Sequence, residues 1–381
     1  MKILMTSETY LPRIGGAEIH VDNLFNKLKK SGHQVSLITN DIGPVTPDVV
    51  RIPWKKTSSL KLVASVWFLS KNVDLIHSHY CHRLALIAGL IGLIRRVPVV
   101  ITLHGMGILD HPNAAYWARK SHAFYRYWSL QLATRVISTS EDLAIVADKY
   151  ISRKKLTVIL NGYDADLFKS GDTSEELFIE TKGKKVIMTV RRLVPKNGIQ
   201  YLVEALPFIV KEDPLVHFLI LGDGPLKAGL EERVAELNLE NNVTFLGMIS
   251  NDLVVHYLRR AEVVVFPSTA ESSSIACAEA MGLGKMVVAS RVGGLVELLG
   301  SKEERGYLVD LVSWSGSNYD APESLSIDRY QELADKILIS LEDSPQNKTK
   351  MNNAMTYAKD NLNWDTVVEK TISQYLIITQ K

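Results

Sequence analysis

Short, largely apolar runs recur along this chain, several of them apolar throughout, and between them lie segments whose apolar positions repeat at helical spacing. No other feature restricts the fold as much. A strand that is apolar on both faces has to be covered on both faces, which is the condition of a parallel sheet buried between helices. In the first half the runs are residues 2–7, 35–39, 74–77, 97–104, 136–140 and 156–160. After the first, Ala17, Val21, Leu24, Phe25 and Leu28 mark one helical face and Asp22, Asn23, Asn26 and Lys27 the other, with Gly32 as the stop. The second half repeats the pattern with residues 185–190, 217–221, 243–246, 263–266 and 286–289, and with Leu226, Leu230, Val234 and Leu237 at helical spacing.

Residues 169–185 break the alternation: they are polar and charged, with Gly171 and Gly183. A chain of 381 residues also exceeds what one hydrophobic core usually organises. The expected architecture is therefore α/β, with two Rossmann-like doubly wound parallel-sheet domains facing each other across a cleft. The expected boundaries are 1–168 for the first domain, 169–184 for a linker and 185–361 for the second. A final helix over about 362–381 is expected to pack back on the first domain, and residues 314–326 read as a surface loop. In such folds ligands collect at the carboxyl ends of the strands and between domains.

A net charge of +2 gives no support to nucleic-acid binding. Two distant cysteines, Cys81 and Cys277, make neither a disulfide framework nor a thiolate metal site and suit a reducing cytoplasm. The longest apolar stretch, residues 84–94, falls well short of the roughly 20 residues that span a bilayer. The amino terminus runs straight into a strand pattern without a cleavable leader. A cytoplasmic protein is expected, with peripheral contact at the inner membrane face left open.

Two stretches carry chemistry. Gly15-Gly16 stands between a strand end and a helix start, where backbone N–H groups can approach an anion; a tight turn without a ligand fits equally. Glu271 and Glu279 flank Ser273, Ser274 and Ile275 after the strand at 263–266. A helix beginning near Ser273 keeps Glu271 in a loop and puts Glu279 one to two turns inside. Two carboxylates could then accept hydrogen bonds from different hydroxyls of a polyol while the helix start faces a diphosphate. A serine-capped helix with two surface glutamates is the plainer alternative.

The order of motifs resembles the retaining glycosyltransferase family four over nearly the whole chain. They run Gly15-Gly16-Ala17-Glu18, Gly32-His33-x-Val35, Asp74-Leu-Ile-His77-Ser-His79, Thr102-Leu-His104-Gly105, Ser138-Thr-Ser-Glu141 and Asn161-Gly-Tyr-Asp164 in the first half. Arg191-Arg-Leu-Val-Pro-Lys196-Asn-Gly198, Gly222-Asp-Gly-Pro225, the Glu271/Glu279 pair and Val292-Gly293-Gly294 follow. The resemblance implies a GT-B fold and transfer from a nucleotide diphosphate sugar without a metal or other cofactor. It implies that Glu279 holds the ribose hydroxyls, Glu271 holds donor-sugar hydroxyls, Arg192 pairs with the diphosphate and His104 points at the transferred sugar. The family's usual lysine position is Asn197 here, so Lys196 is taken as its replacement. Ser272-Ser273-Ser274 stands where many members have Gly-Phe-Gly, a departure that bears on donor preference.

His20, His77 and His79 have no metal-ligand spacing, and Asp164-Ala165-Asp166 falls within the Asn-Gly-x-Asp turn rather than forming a metal pair. No metal site is expected. Residues 55–72 place Lys55, Lys56 and Lys61 beside Leu62, Val63, Val66, Trp67 and Phe68. The segment could lie on an anionic membrane, as a lipid-linked acceptor would suit; the reading preferred here packs its apolar residues inward. The expected partners are thus a nucleotide sugar donor and a glycan, lipid-linked or small-molecule acceptor, with no nucleic acid. The rival readings are another GT-B enzyme, such as a nucleotide-sugar epimerase or a phosphorylase, and a two-lobed sugar-binding protein.

Overall fold

The computed structural model describes residues 1–13, 15–44, 46–53, 58–105, 107–109, 116–166, 181–313 and 321–380. The chain forms two compact units, Met1–Gly162 with Trp364–Lys381, and Tyr163–Asn363. Most of the expected linker, 169–180, lies outside the described residues, as do Trp54, Lys55 and Lys56 and the loop residues 314–320.

The first unit runs β1 (Lys2–Ser7), α1 (Gly16–Lys30), β2 (Gln34–Thr39), β3 (Val49–Arg51), α2 (Ser58–Leu69), β4 (Leu75–His79) and α3 (Arg83–Arg95). It continues with β5 (Val99–Leu103), α4 (Tyr116–Leu132), β6 (Arg135–Ser138), α5 (Glu141–Asp148) and β7 (Leu156–Val158). Among the described residues seven strands lie in the order β3-β2-β1-β4-β5-β6-β7, each pairing parallel, as strands buried on both faces require. The direction of sheet growth reverses between β1 and β4. Right-handed crossovers then put α1 on one face and α2 to α5 on the other.

The second unit runs β8 (Lys185–Val190), α6 (Ile199–Glu212), β9 (Val216–Leu221), α7 (Lys227–Glu236), β10 (Val243–Gly247), α8 (Asn251–Arg260) and β11 (Val263–Phe266). Then come α9 (Ile275–Gly282), β12 (Met286–Ser290), α10 (Gly293–Leu299), β13 (Tyr307–Val309), α11 (Ile327–Ser340) and α12 (Pro345–Asn361). Its six parallel strands among the described residues are ordered β10-β9-β8-β11-β12-β13, with the reversal between β8 and β11.

The last helix, α13 (Trp364–Thr379), belongs to the first unit. Its Trp364, Val367, Val368 and Tyr375 are buried with Val21, Leu24 and Leu28 of α1 in one apolar cluster. Burying a tryptophan and two valines from water stabilises this closure by several kcal/mol, roughly 1.5–3 for each large side chain.

The inward packing expected of residues 55–72 holds for only part of α2. Leu62 and Val66 are fully buried, whereas Leu60, Val63, Trp67 and Phe68 are exposed. A helix on the outside of a sheet has one face to bury, and α2 is apolar on more than one.

Candidate active site

In the second unit the carboxyl ends of β8, β9, β11 and β12 lead into the loops that carry most of the candidate residues. The loop after β8 holds Arg191, Arg192 and Lys196, and the loop after β11 holds Glu271, Ser273 and Ser274 ahead of α9. The two loops are joined: Thr269 donates its N–H to the Lys196 carbonyl at 2.8 Å. Glycines allow the close approach where backbones meet. Gly222 has φ +132°, and a Cβ there would sit 1.8 Å from the Arg191 carbonyl oxygen. Gly222→Ala is therefore expected to cost about 3 kcal/mol or more, through backbone strain plus collision, read as a lowered urea midpoint. An unchanged midpoint would show that the Arg191 loop gives way freely. At Gly294 a Cβ would meet the Ser272 carbonyl oxygen at 2.2 Å, and its N–H donates to the Glu271 carbonyl at 3.1 Å.

Glu271 is ion-paired. Arg191 Nη2 lies 2.5 Å from Glu271 Oε2, with the two side chains only 11% and 10% exposed. The Arg191 guanidinium also lies 5.1 Å from the centre of the Phe266 ring. Burial pushes the Glu271 carboxyl up, but Arg191 and Lys196 outweigh it and hold the group below the usual carboxylate range. Lys196 is half-buried; burial lowers its proton affinity, Glu271 opposes this, and Arg191 and Arg192 add to it. Arg192 itself is exposed. Asn197, at the position of the family lysine, is buried and donates from Nδ2 to the Arg192 carbonyl at 2.7 Å. It shapes the loop, while Lys196 carries the charge beside Glu271. Sequence reasoning does not single out Arg191; the arginine doublet is the one signal for it.

Helix α9 begins at Ile275, two residues later than expected, because Ser274 caps it by accepting the Cys277 N–H at 3.2 Å. Ser273 and Ser274 are both buried. The first-turn N–H groups of a helix have no intrahelical acceptor and carry the positive end of its dipole, so this turn suits an anion. Glu279 lies further along α9. Burial first, and the nearby Asp164 carboxylate second, push its carboxyl up to about 7. Asp164 is part of a local turn in which its Oδ1 accepts the Asp166 N–H at 3.1 Å.

The first unit contributes a separate group. Gly15 precedes α1 in an extended conformation, and a Cβ on Gly16 would meet no atom within 4 Å, so packing does not demand glycine at 16. His104 follows β5, and its Nε2 lies 3.1 Å from Nδ1 of His79, the last residue of β4. His20, on α1, shares a hydrogen bond with Asn161 at 2.8 Å. His77 is committed at both ring nitrogens, 2.6 Å from the Tyr375 hydroxyl and 2.7 Å from the Thr102 hydroxyl. The set considered from sequence thus changes: His104 joins His20 and His79, and His77 serves the packing of α13. Ligand nitrogens of His20, His79 and His104 lie within 4.8 Å of one another, a donor set that a transition metal can accept. His79 Nδ1 and His104 Nε2 are within hydrogen-bond distance of each other, one donating and the other accepting.

Burial lowers the proton affinity of all four rings, His20 to about 4 and His77 to about 3, with His79 and His104 well below the ordinary 6.5. They are neutral at pH 7. A folded-state value below the unfolded one gives stability that is complete above pH 6.5 and is lost as the pH falls toward 4. His20 alone accounts for about 3 kcal/mol of that loss. Hydrogen exchange in β4 and β5 is expected to accelerate sharply between pH 6.5 and 4 after correction for intrinsic rates. Equal protection at both ends would contradict the neutral cluster.

Two doubly wound parallel sheets, the second with Arg192, Lys196 and Glu271 in the loops after its strands, are the architecture of the GT-B class. Residues 14–167 match the model described as Glycosyltransferase Family 4, and residues 172–317 match that described as Glycosyl transferases group 1. The chain belongs to glycosyltransferase family four. An uncharacterized glycosyltransferase of Methanocaldococcus jannaschii is 29% identical over 318 residues, covering 78% of this chain and 81% of the relative. A phosphatidylinositol N-acetylglucosaminyltransferase subunit from Arabidopsis thaliana is 27% identical over 327 residues, covering 78% of this chain and 69% of that one. The crystal structure of Anabaena HepE in complex with UDP superposes with a TM-score of 0.78 at 23% identity, over 98% of this chain and 99% of that one, which establishes a shared fold.

Proposed function

We propose that this glycosyltransferase moves a sugar from a UDP- or GDP-sugar to an acceptor hydroxyl with retention of configuration and without a metal ion. The observation that carries the reading is the gathering of the capped start of α9, Glu271 and Lys196 at one end of the second sheet, with Arg192 on the same loop as Lys196. Charge building on a leaving diphosphate needs cations and oriented N–H groups, and here protein groups can supply both. Glu271 and Glu279 offer acceptors for sugar and ribose hydroxyls. Retention follows from a same-face route in which the departing phosphate oxygen takes the acceptor's proton, so no protein nucleophile is required. His104, neutral, is assigned to a donor-sugar hydroxyl, and Gly15 and Gly16 to the approach of the donor.

The acceptor is assigned to a lipid-linked molecule, met by a protein peripheral to the inner membrane face. The relative named for phosphatidylinositol supports that choice over a soluble glycan or small molecule. Proton NMR of the purified product reads the anomeric configuration directly. The donor's own configuration in the product is the expected result, and the opposite anomer would overturn retention. Isomerised donor without transfer would favour the epimerase reading, phosphate-dependent turnover a phosphorylase, and binding without turnover a sugar-binding protein.

A further inference from the structure

The helices α2, α3 and α4 together contain 42 residues and not one Asp or Glu. The chain average of 42 acidic residues in 381 would place about five there. The same helices carry eleven of the twenty large apolar side chains that are exposed among the described residues. Phe68 (73% exposed) on α2, Leu93 and Ile94 (67% each) on α3, and Trp117 (79%), Phe124 (53%) and Trp128 (47%) on α4 stand out. Lys61, Arg96, Arg119 and Lys120 are exposed beside them.

The three helices are held side by side. Helix α3 packs against both α2 and α4. The Arg95 guanidinium stacks 4.0 Å from the centre of the Trp67 ring and donates to the Trp67 carbonyl at 2.9 Å, joining α3 to α2. Gly89 of α3 lets α4 approach, since a Cβ there would lie 2.8 Å from Cβ of Leu132. Exposed residues recur at helical spacing on each helix: Leu60, Val63 and Trp67 on α2, Leu90, Leu93 and Ile94 on α3. The outcome is an outward raft of aromatic and aliphatic side chains edged by cations.

We infer that this α2–α3–α4 face docks on an anionic lipid bilayer. Tryptophan and tyrosine favour the water–hydrocarbon boundary, where an apolar ring and a polar N–H or O–H are both accommodated. Lysine and arginine meet anionic headgroups, and a carboxylate there would be repelled, which accounts for the missing acids. Protein interfaces deplete charges of both signs at their centre, whereas this face loses only the negative ones. The inference deepens the proposed transfer to a lipid-linked acceptor, and rests on that reading for its purpose, while the docking itself needs no donor.

Flotation of the full chain, without nucleotide, tests it. Vesicles of phosphatidylcholine alone are compared with vesicles in which about one-third of the lipid is phosphatidylglycerol. The chain is expected to float with the anionic vesicles, and less so at high salt. R119E/K120E is expected to weaken this about tenfold or more, and W117S/F124S/W128S to abolish it, both retaining the wild-type thermal midpoint and UDP binding by calorimetry. L93S/I94S gives the same loss through α3, should the α4 variant fail to fold. Wild type left at the bottom of the gradient, either α4 variant floating like wild type, or self-association without flotation in mass photometry would overturn it; the last would point to a protein contact. UDP binding lost with flotation intact would instead count against the donor site and leave the docking face standing.

Discussion

Lys196→Ala is expected to lower kcat by about 10²–10³-fold, with a much smaller change in donor affinity. The reason is where the charge appears. A nucleotide diphosphate gains negative charge as the glycosidic bond to it breaks, so a fixed cation is worth most in the transition state. Lys196 sits on the joined loops after β8 and β11, close enough to Glu271 that each alters the other's protonation. Restoring the family residue one position on should not help. Asn197 is buried and its amide holds the Arg192 carbonyl, so Asn197→Lys removes that bond and buries a second amine. The double variant is therefore expected to fall below Lys196→Ala in steady-state assays. A near-wild-type kcat for Lys196→Ala, or a more active Asn197→Lys, would move the leaving-group cation elsewhere.

Glu279→Gln is expected to make the enzyme less active and more stable at the same pH. Burial and Asp164 raise the Glu279 carboxyl to about 7, so in the free protein it ionises only near neutrality. The ionised form accepts hydroxyl hydrogen bonds best; kcat/KM for donor should climb with pH to about 7 and then level. Removing that charge costs about 10–100-fold on the plateau and flattens the profile. Stability runs the other way. The folded protein keeps this proton at a pH where the unfolded chain, titrating near the ordinary 4.5, has released it. The contribution is thus full below 4.5 and is lost as the pH rises through about 7. Glutamine carries no such loss, so its urea midpoint at pH 8 should exceed that of wild type. A variant with an unchanged pH profile would remove Glu279 from donor binding.

The strands were legible where three or more apolar residues stand together, as in Ile3-Leu4-Met5, Val186-Ile187-Met188 and Val263-Val264-Val265-Phe266. Residues 2–7, 185–190 and 263–266 are strands end to end as read. β3 and β13 went unseen because each is three residues long with a charged residue in it or directly after it, Arg51 and Asp310, whereas β7, equally short, stands in the longer run 156–160. The helix start after β11 was legible from its serines, within two residues, since any of Ser272, Ser273 and Ser274 could have been the cap. Side-chain partners were less so. Nothing in the spacing of His20, His79 and His104 relates them, because they come from α1, the end of β4 and the loop after β5, which meet only once the sheet is wound. The Arg191–Glu271 pair is hidden for the same reason, spanning β8 and β11, neighbours in the sheet that are far apart in sequence. In α2 the difficulty was an excess of apolar residues: composition does not tell which side of a helix is covered.

On the proposed reading, the strand ends of the second unit bind a nucleotide sugar through Glu279 and release its diphosphate without a metal. Incubating the purified chain with UDP-, GDP- and ADP-sugars, with and without EDTA, and following nucleotide diphosphate release tests it most directly. Release from one donor, unaffected by EDTA and lost in Glu279→Ala, is the expected result. Release abolished by EDTA, or silence across the panel with no donor binding by calorimetry, would contradict it.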